Sequence, residues 1–130
     1  MLAVAESPLM RVGEVPRVRA LAERAITLDA GWQAGALHEL MIGIEGVPAI
    51  VGGSPQRART HFDRAVTLSS GLSAFAYVTM ATSGAEPAET ERLLKAALAI
   101  DVDRRPDIRL ANIIAQKRAR FLLARAARRS

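Results

Sequence analysis

The sequence predicts an all-α fold, an α-α superhelix of about three antiparallel helix pairs. Three observations point there. Of the 130 residues, 50% are apolar but only 4% aromatic. Alanine and leucine dominate, which favours closely packed helices over a sandwich or barrel. Apolar residues recur at helical spacing in successive stretches separated by Gly and Pro breaks. Finally, Glu23–Asp29 (ERAITLD), Asp63–Ser69 (DRAVTLS) and Lys95–Asp101 (KAALAID) share one register at offsets of 40 and 32 residues. Such spacings suit stacked helix pairs, each burying its apolar face against the next.

Residues 1–14 show no clear period and are expected to form an irregular end; residues 15–130 are expected to form the helical domain. Pro16 suits a first helical position, where a missing N–H costs nothing. Val18, Leu21, Ala22, Ala25, Ile26 and Leu28 then continue the helical period to Asp29-Ala30-Gly31. A second helix is expected from about Trp32 to Glu45, stopped by Gly46 and Pro48. The loop that follows, VPAIVGG, is apolar and expected to fold back onto the helices. Ser54 and Pro55 read as cap and first residue of a third helix running to about Leu68. Gly71 divides it from a fourth, Leu72 to Thr82. Pro87 precedes a fifth, Ala88 to Ile100, and Pro106 begins a last one reaching about Arg128.

The third helix carries the strongest repeat signal. Ala58, Phe62, Ala65 and Leu68 follow the small-x3-aromatic-x2-Ala pattern of a tetratricopeptide-type second helix. Phe62 is expected to fill the space between its helix and the preceding one. The repeats are degenerate: Ala30, Ser70 and Val102 stand where such repeats end in proline.

Charge is unevenly spread. Residues 104–130 carry +8 and the remaining 103 residues −3, within a net +5. A basic end on a mildly acidic body suggests an anionic partner: a protein, a membrane surface or nucleic acid. On the last helix, Arg118, Arg125 and Arg129 share a face, and Leu110, Ile113, Ile114 and Leu123 are expected to be buried. The cations either pair with acids such as Glu89, Glu91 and Asp101 or dock a partner. Nucleic acid is disfavoured, because Phe121 is the one aromatic there for base stacking.

Catalytic patterns fail. His38-Glu39 opens a zinc-protease-like motif, but Ile42 occupies the second histidine position. Gly52-Gly53-Ser54-Pro55-Gln56 is neither a nucleophile elbow nor a phosphate loop. No cysteine is present, which excludes disulfides and thiolate metal sites. No cofactor and no metal are expected, and the protein is not expected to be an enzyme. No apolar run approaches the ~18 residues of a membrane span. The first residues, MLAVAESPLMRVGEVPR, do not read as an export signal: a basic start is missing, and Glu6 and Pro8 break the apolar run. Asn112 and Gln116, one turn apart within LANIIAQ, either line a polar patch in a cavity or cap neighbouring helix ends.

From about Val15 onward, the chain resembles the T component associated with TRAP transporters, a family of helical, tetratricopeptide-like proteins. The matching runs are Gly35–Gly46 (GALHELMIGIEG), Val51–Gly71 (VGGSPQRARTHFDRAVTLSSG), Ala76–Ala81, Glu91–Asp101 and Arg109–Ala126. Family members are about twice as long, with an export signal and further helices in front, so the resemblance is to their C-terminal half. Between Tyr77 and Leu93 the chain is shorter than the family pattern by about four residues, roughly one helical turn. The resemblance implies a periplasmic, non-catalytic accessory component of solute uptake. It would bind a small organic or apolar solute, partner a periplasmic solute-binding protein and form a homo-oligomer, a trimer. The residues proposed for the ligand are His38, Glu39, Met41, Tyr77, Asn112 and Gln116, between the second, fourth and sixth helices. Arg118, Arg125 and Arg129 are proposed for the partner. The alternative is a helical-repeat scaffold that binds proteins and no small ligand.

Overall fold

The computed structural model describes residues 8–129, with side chains described from residue 14 onward. Six α-helices follow in order: α1 Pro8–Leu28, α2 Ala36–Glu45, α3 Pro55–Ser69, α4 Ala74–Ala81, α5 Pro87–Leu98 and α6 Arg109–Arg129. Short 3-10 turns lie at Trp32–Ala34, Ala49–Val51, Val102–Arg104 and Pro106–Ile108. The fold is all-α, and no strand occurs among the described residues.

Local chemistry sets most boundaries. Ser54 is extended and its hydroxyl accepts from the Arg57 amide at 3.2 Å, while Pro55 opens α3 without losing a bond. Ser70 ends α3 in the left-handed region at φ 55°. Pro87 similarly starts α5. Three helix starts differ most from the sequence expectation, among them α6, where Pro106–Ile108 forms a 3-10 turn and the α-helix begins at Arg109. α1 starts at Pro8, so Pro16 lies inside the helix and residues 8–14 are helical; residues 1–7 fall outside the described residues. The chain after α1 first makes a 3-10 turn, in which Gln33 and Ala34 take positive φ, and α2 begins at Ala36.

The core gathers Ile42, Phe62, Ala65, Leu93 and Leu94 with alanines from α4, α5 and α6. Phe62 meets Tyr77 edge-on, with ring centroids 5.4 Å apart. Its ring partner therefore sits on the following helix, α4. Small residues let the helices approach: Ala58, Ala65, Ala97 and Ala119 are all essentially inaccessible. α6 packs on both α4 and α5, and α2 contacts α1, α3 and α4.

The orientation of α6 corrects the sequence reading. Its buried face is Asn112, Ala115 and Ala119, with Leu122 and Leu123 partly buried. Leu110 and Ile114, expected inside, are 71% and 56% exposed, and Phe121 is 57% exposed. The cause is polar and steric together. Asn112 bonds two backbone groups of the segment leading into α4, at Leu72 and Ala74, and alanines permit the closest packing, so the helix turns its amide-and-alanine side inward.

Candidate functional site

Two hydrogen-bonded clusters and one groove take up the chemistry-bearing residues. The first cluster lies where α1, α2 and α3 meet the apolar loop. The Glu45 side chain has no accessible surface. Arg19 donates to it through Nε at 3.0 Å and Nη2 at 3.1 Å, and Arg57 through Nε at 3.0 Å. Both arginines also donate to the Gly52 carbonyl, at 2.8 and 2.9 Å. Burial pushes the Glu45 carboxyl up, but the bonds from Arg57 and Arg19 overcome it and hold it below the usual range. One carboxylate thus fastens two helices and the loop.

The second cluster runs from α2 towards α4 and α6. His38 and His61 approach Nδ1 to Nδ1 at 2.8 Å across the α2–α3 contact. One ring must donate and the other accept, so at most one proton lies between them. His38 Nε2 is buried without a hydrogen-bond partner. Burial is the chief cause lowering both histidines; His61 and Arg64 depress His38 further. Glu39, also buried, accepts from the Ser73 hydroxyl. Burial raises its carboxyl to about 6, against the opposing pull of that bond. Asn112 Oδ1 accepts from the Ala74 amide at 2.8 Å, and its Nδ2 donates to the Leu72 carbonyl at 2.8 Å. Glu39 and Asn112 therefore converge on residues 72–74, the approach to α4.

These residues fix a pH dependence. Between about 4.5 and 6 the folded state holds the Glu39 proton more tightly than the unfolded state, so Glu39 lowers stability as pH rises through that window. The two histidines act oppositely. Their depressed values mean that stability falls as pH drops through their unfolded value of 6.5. The opposing slopes should flatten the native profile. Glu39→Gln should add about 2 kcal/mol at neutral pH, little at pH ~4, and expose the histidine slope. Urea denaturation across pH checks this; an unchanged profile would show that Glu39 ionises normally.

Gln116 Nε2 donates to the carbonyls of Ala97 and Ile100 at 3.0 and 2.8 Å, holding the end of α5. Met41 is fully buried. Tyr77, partly exposed, walls a shallow depression of about 430 Å³ with Phe62, Arg59 and Glu89. The six residues proposed for a ligand are thus divided. Glu39 and Asn112 come together, His38 faces His61, Gln116 serves α5, and Tyr77 stands apart. The bonding atoms of Asn112 and the Gln116 amide nitrogen are taken up by neighbouring backbone.

A larger groove, about 840 Å³, opens between the end of α4, the start of α5 and the end of α6. Leu94, Leu122, Leu123 and Ala85 give it apolar walls, and Arg125 and Arg129 stand along it. Sequence reasoning singled out these two arginines but missed the groove, which exists only once three helix ends are assembled. Arg118, Arg125 and Arg129 are exposed, and none makes an ion pair among the described residues. The acids suggested as their partners are engaged elsewhere. Glu89 pairs with Arg59, Glu91 with Lys95, and Asp101 accepts from the Asp103 amide.

Fold and groove define the class: an all-α helical module with an open, arginine-bearing groove. The TRAP transporter T-component family model matches residues 2–128, and the chain belongs to that family, accessory components of TRAP transporters. The match begins ahead of the Val15 where the sequence resemblance was placed. No curated protein and no solved structure gives a significant match. Among the described residues, no helix is long and apolar enough to cross a membrane.

Proposed function

We propose that this chain is a non-catalytic, periplasmic accessory component of a TRAP-type uptake system. In this reading the α4–α5–α6 groove holds a small organic solute with an apolar body and an anionic end. The carrying observation is the groove: apolar walls, a volume suited to a small molecule, and two arginines without ion pairs beside them. Leu94, Leu122 and Leu123 would take the apolar body, and Arg125 and Arg129 the anionic end. Thr82 and Thr90 contribute little, since their hydroxyls bond backbone carbonyls. Arg118, beside these arginines on the helix, would extend the basic surface towards an acidic patch of a periplasmic solute-binding protein. Homo-oligomerisation, implied by the family resemblance, belongs to the same proposal.

The test combines thermal stability with native mass spectrometry of the full chain. A series of alkyl carboxylates should raise stability, by about 2.7 kcal/mol at a hundredfold excess over Kd. The Arg125→Glu/Arg129→Glu variant should lose the shift. Capture of the solute-binding protein should fail on charge reversal at Arg118, Arg125 and Arg129. An equal shift in the variant would remove the ligand from this groove. Retained capture would remove the docking surface. Capture without any ligand shift would favour the protein-binding scaffold.

A further inference from the structure

We propose that the outward face of α6 seats on an anionic phospholipid surface, lying in its plane. The argument starts from the helix turning its amide-and-alanine side to the core. That turn leaves Leu110, Ile114 and Phe121 outside, each more than half exposed. At 100° per residue they fall within an arc of about 40°, along roughly 16 Å of helix. Lys117 and Arg120 flank this stripe on one side, Arg118 and Arg125 on the other, and all four are exposed. None of the four makes an ion pair among the described residues, and no acid occurs between Arg109 and Arg129.

The charge pattern selects the occupant. A second copy seated face to face would set two such arginine arrays against each other, which costs rather than stabilises. The stripe is a ridge on one helix, with cations on both flanks. A planar anionic surface satisfies both flanks at once, while the apolar side chains sink to the acyl boundary and the long cationic stems reach up to the headgroups. The face is too short in apolar length to span, so contact is peripheral and reversible. The groove, walled in part by Leu122, Leu123 and Arg129, adjoins the Arg118/Arg125 flank of this face and shares Arg125 with it, while Leu110, Ile114, Phe121, Lys117 and Arg120 are absent from its lining.

The test is sedimentation of the full chain with phosphatidylcholine vesicles, with and without phosphatidylglycerol. Binding should require the anionic lipid and weaken as salt rises from about 0.05 to about 0.3 M. Leu110→Ser/Phe121→Ser and Lys117→Glu/Arg120→Glu should each reduce binding about tenfold or more. Arg24→Glu, a charge reversal on α1, should not. Because the replaced side chains are exposed, circular dichroism should be unchanged. As an independent readout, Phe121→Trp in a Trp32→Phe background should shift its fluorescence to the blue on anionic vesicles alone. No sedimentation, equal binding to neutral vesicles, or full binding by the serine variant would overturn the proposal. So would capture by an acidic protein at this face without vesicle binding. None of these variants alters Arg125 or Arg129, so a failure here leaves the groove reading standing.

Discussion

Gly53→Ala should destabilise the protein by about 3 kcal/mol or more, placing it among the most damaging single substitutions. A Cβ at position 53 would stand 1.8 Å from the Val47 carbonyl oxygen, 2.7 Å from its carbon and 2.9 Å from the Glu45 oxygen. All three are backbone atoms, so no side chain can swing aside to relieve the clash. The loop would have to move, and with it the Gly53 amide bond to Pro48 at 3.2 Å and the Ser54 amide bond to Glu45 at 3.0 Å. Displacing Gly52 also withdraws the carbonyl that Arg19 and Arg57 share. Glu45 has no accessible side-chain surface, so loosening its two cations leaves an expensive buried charge. Gly84→Ala is the control. Unlike Gly53 it has positive φ, at 82°, and nothing lies within 4 Å of its Cβ. Only backbone strain remains, about 1–2 kcal/mol. Denaturation midpoints compare the two; equal losses would mean that the close approach at Gly53 is not what closes the loop.

Phe62→Ala should cost about 3–5 kcal/mol. The ring is buried in the core, and its edge-on contact with Tyr77 ties α3 to α4. The Arg59 guanidinium lies 5.4 Å from its centroid on the outer side. Ala58 and Ala65, a turn to either side, are fully buried and too small to fill the void. Relaxation is therefore limited, and the cost should approach that of an open cavity. Larger residues at Ala65 should also destabilise, by overpacking, at about 1–3 kcal/mol. A loss below about 1 kcal/mol for Phe62→Ala in urea denaturation would show that the ring is not a packing anchor.

The residues legible from sequence are those whose signals are local. α3 was readable at both ends because Ser54, Pro55 and Ser70-Gly71 act on their own backbone. The break at Pro87 and the division into six helices are legible for the same reason. Phe62 could be placed in the core from its spacing against Ala58 and Ala65. The start of α1 is not legible, because proline suits a first turn and Pro16 is the clearest such mark, whereas the helix already runs from Pro8.

What the tertiary structure decided is how those helices face one another. Leu110 and Ile114 carry the apolar signal of a core face, yet they lie outside. Asn112 fixes the rotation of α6 through bonds to residues 38 and 40 positions earlier, a range no periodicity reports. His38 and His61 are 23 residues apart and gain meaning only in contact. Arg19, Glu45 and Arg57 are unremarkable singly and become one cluster when α1, α2 and α3 meet. Arg125 and Arg129 were visible as a basic face, but the groove beside them is built from three helix ends. Caps and periods are written within one or two turns of chain, whereas buried polar pairing and grooves depend on residues that sequence separates and packing brings together.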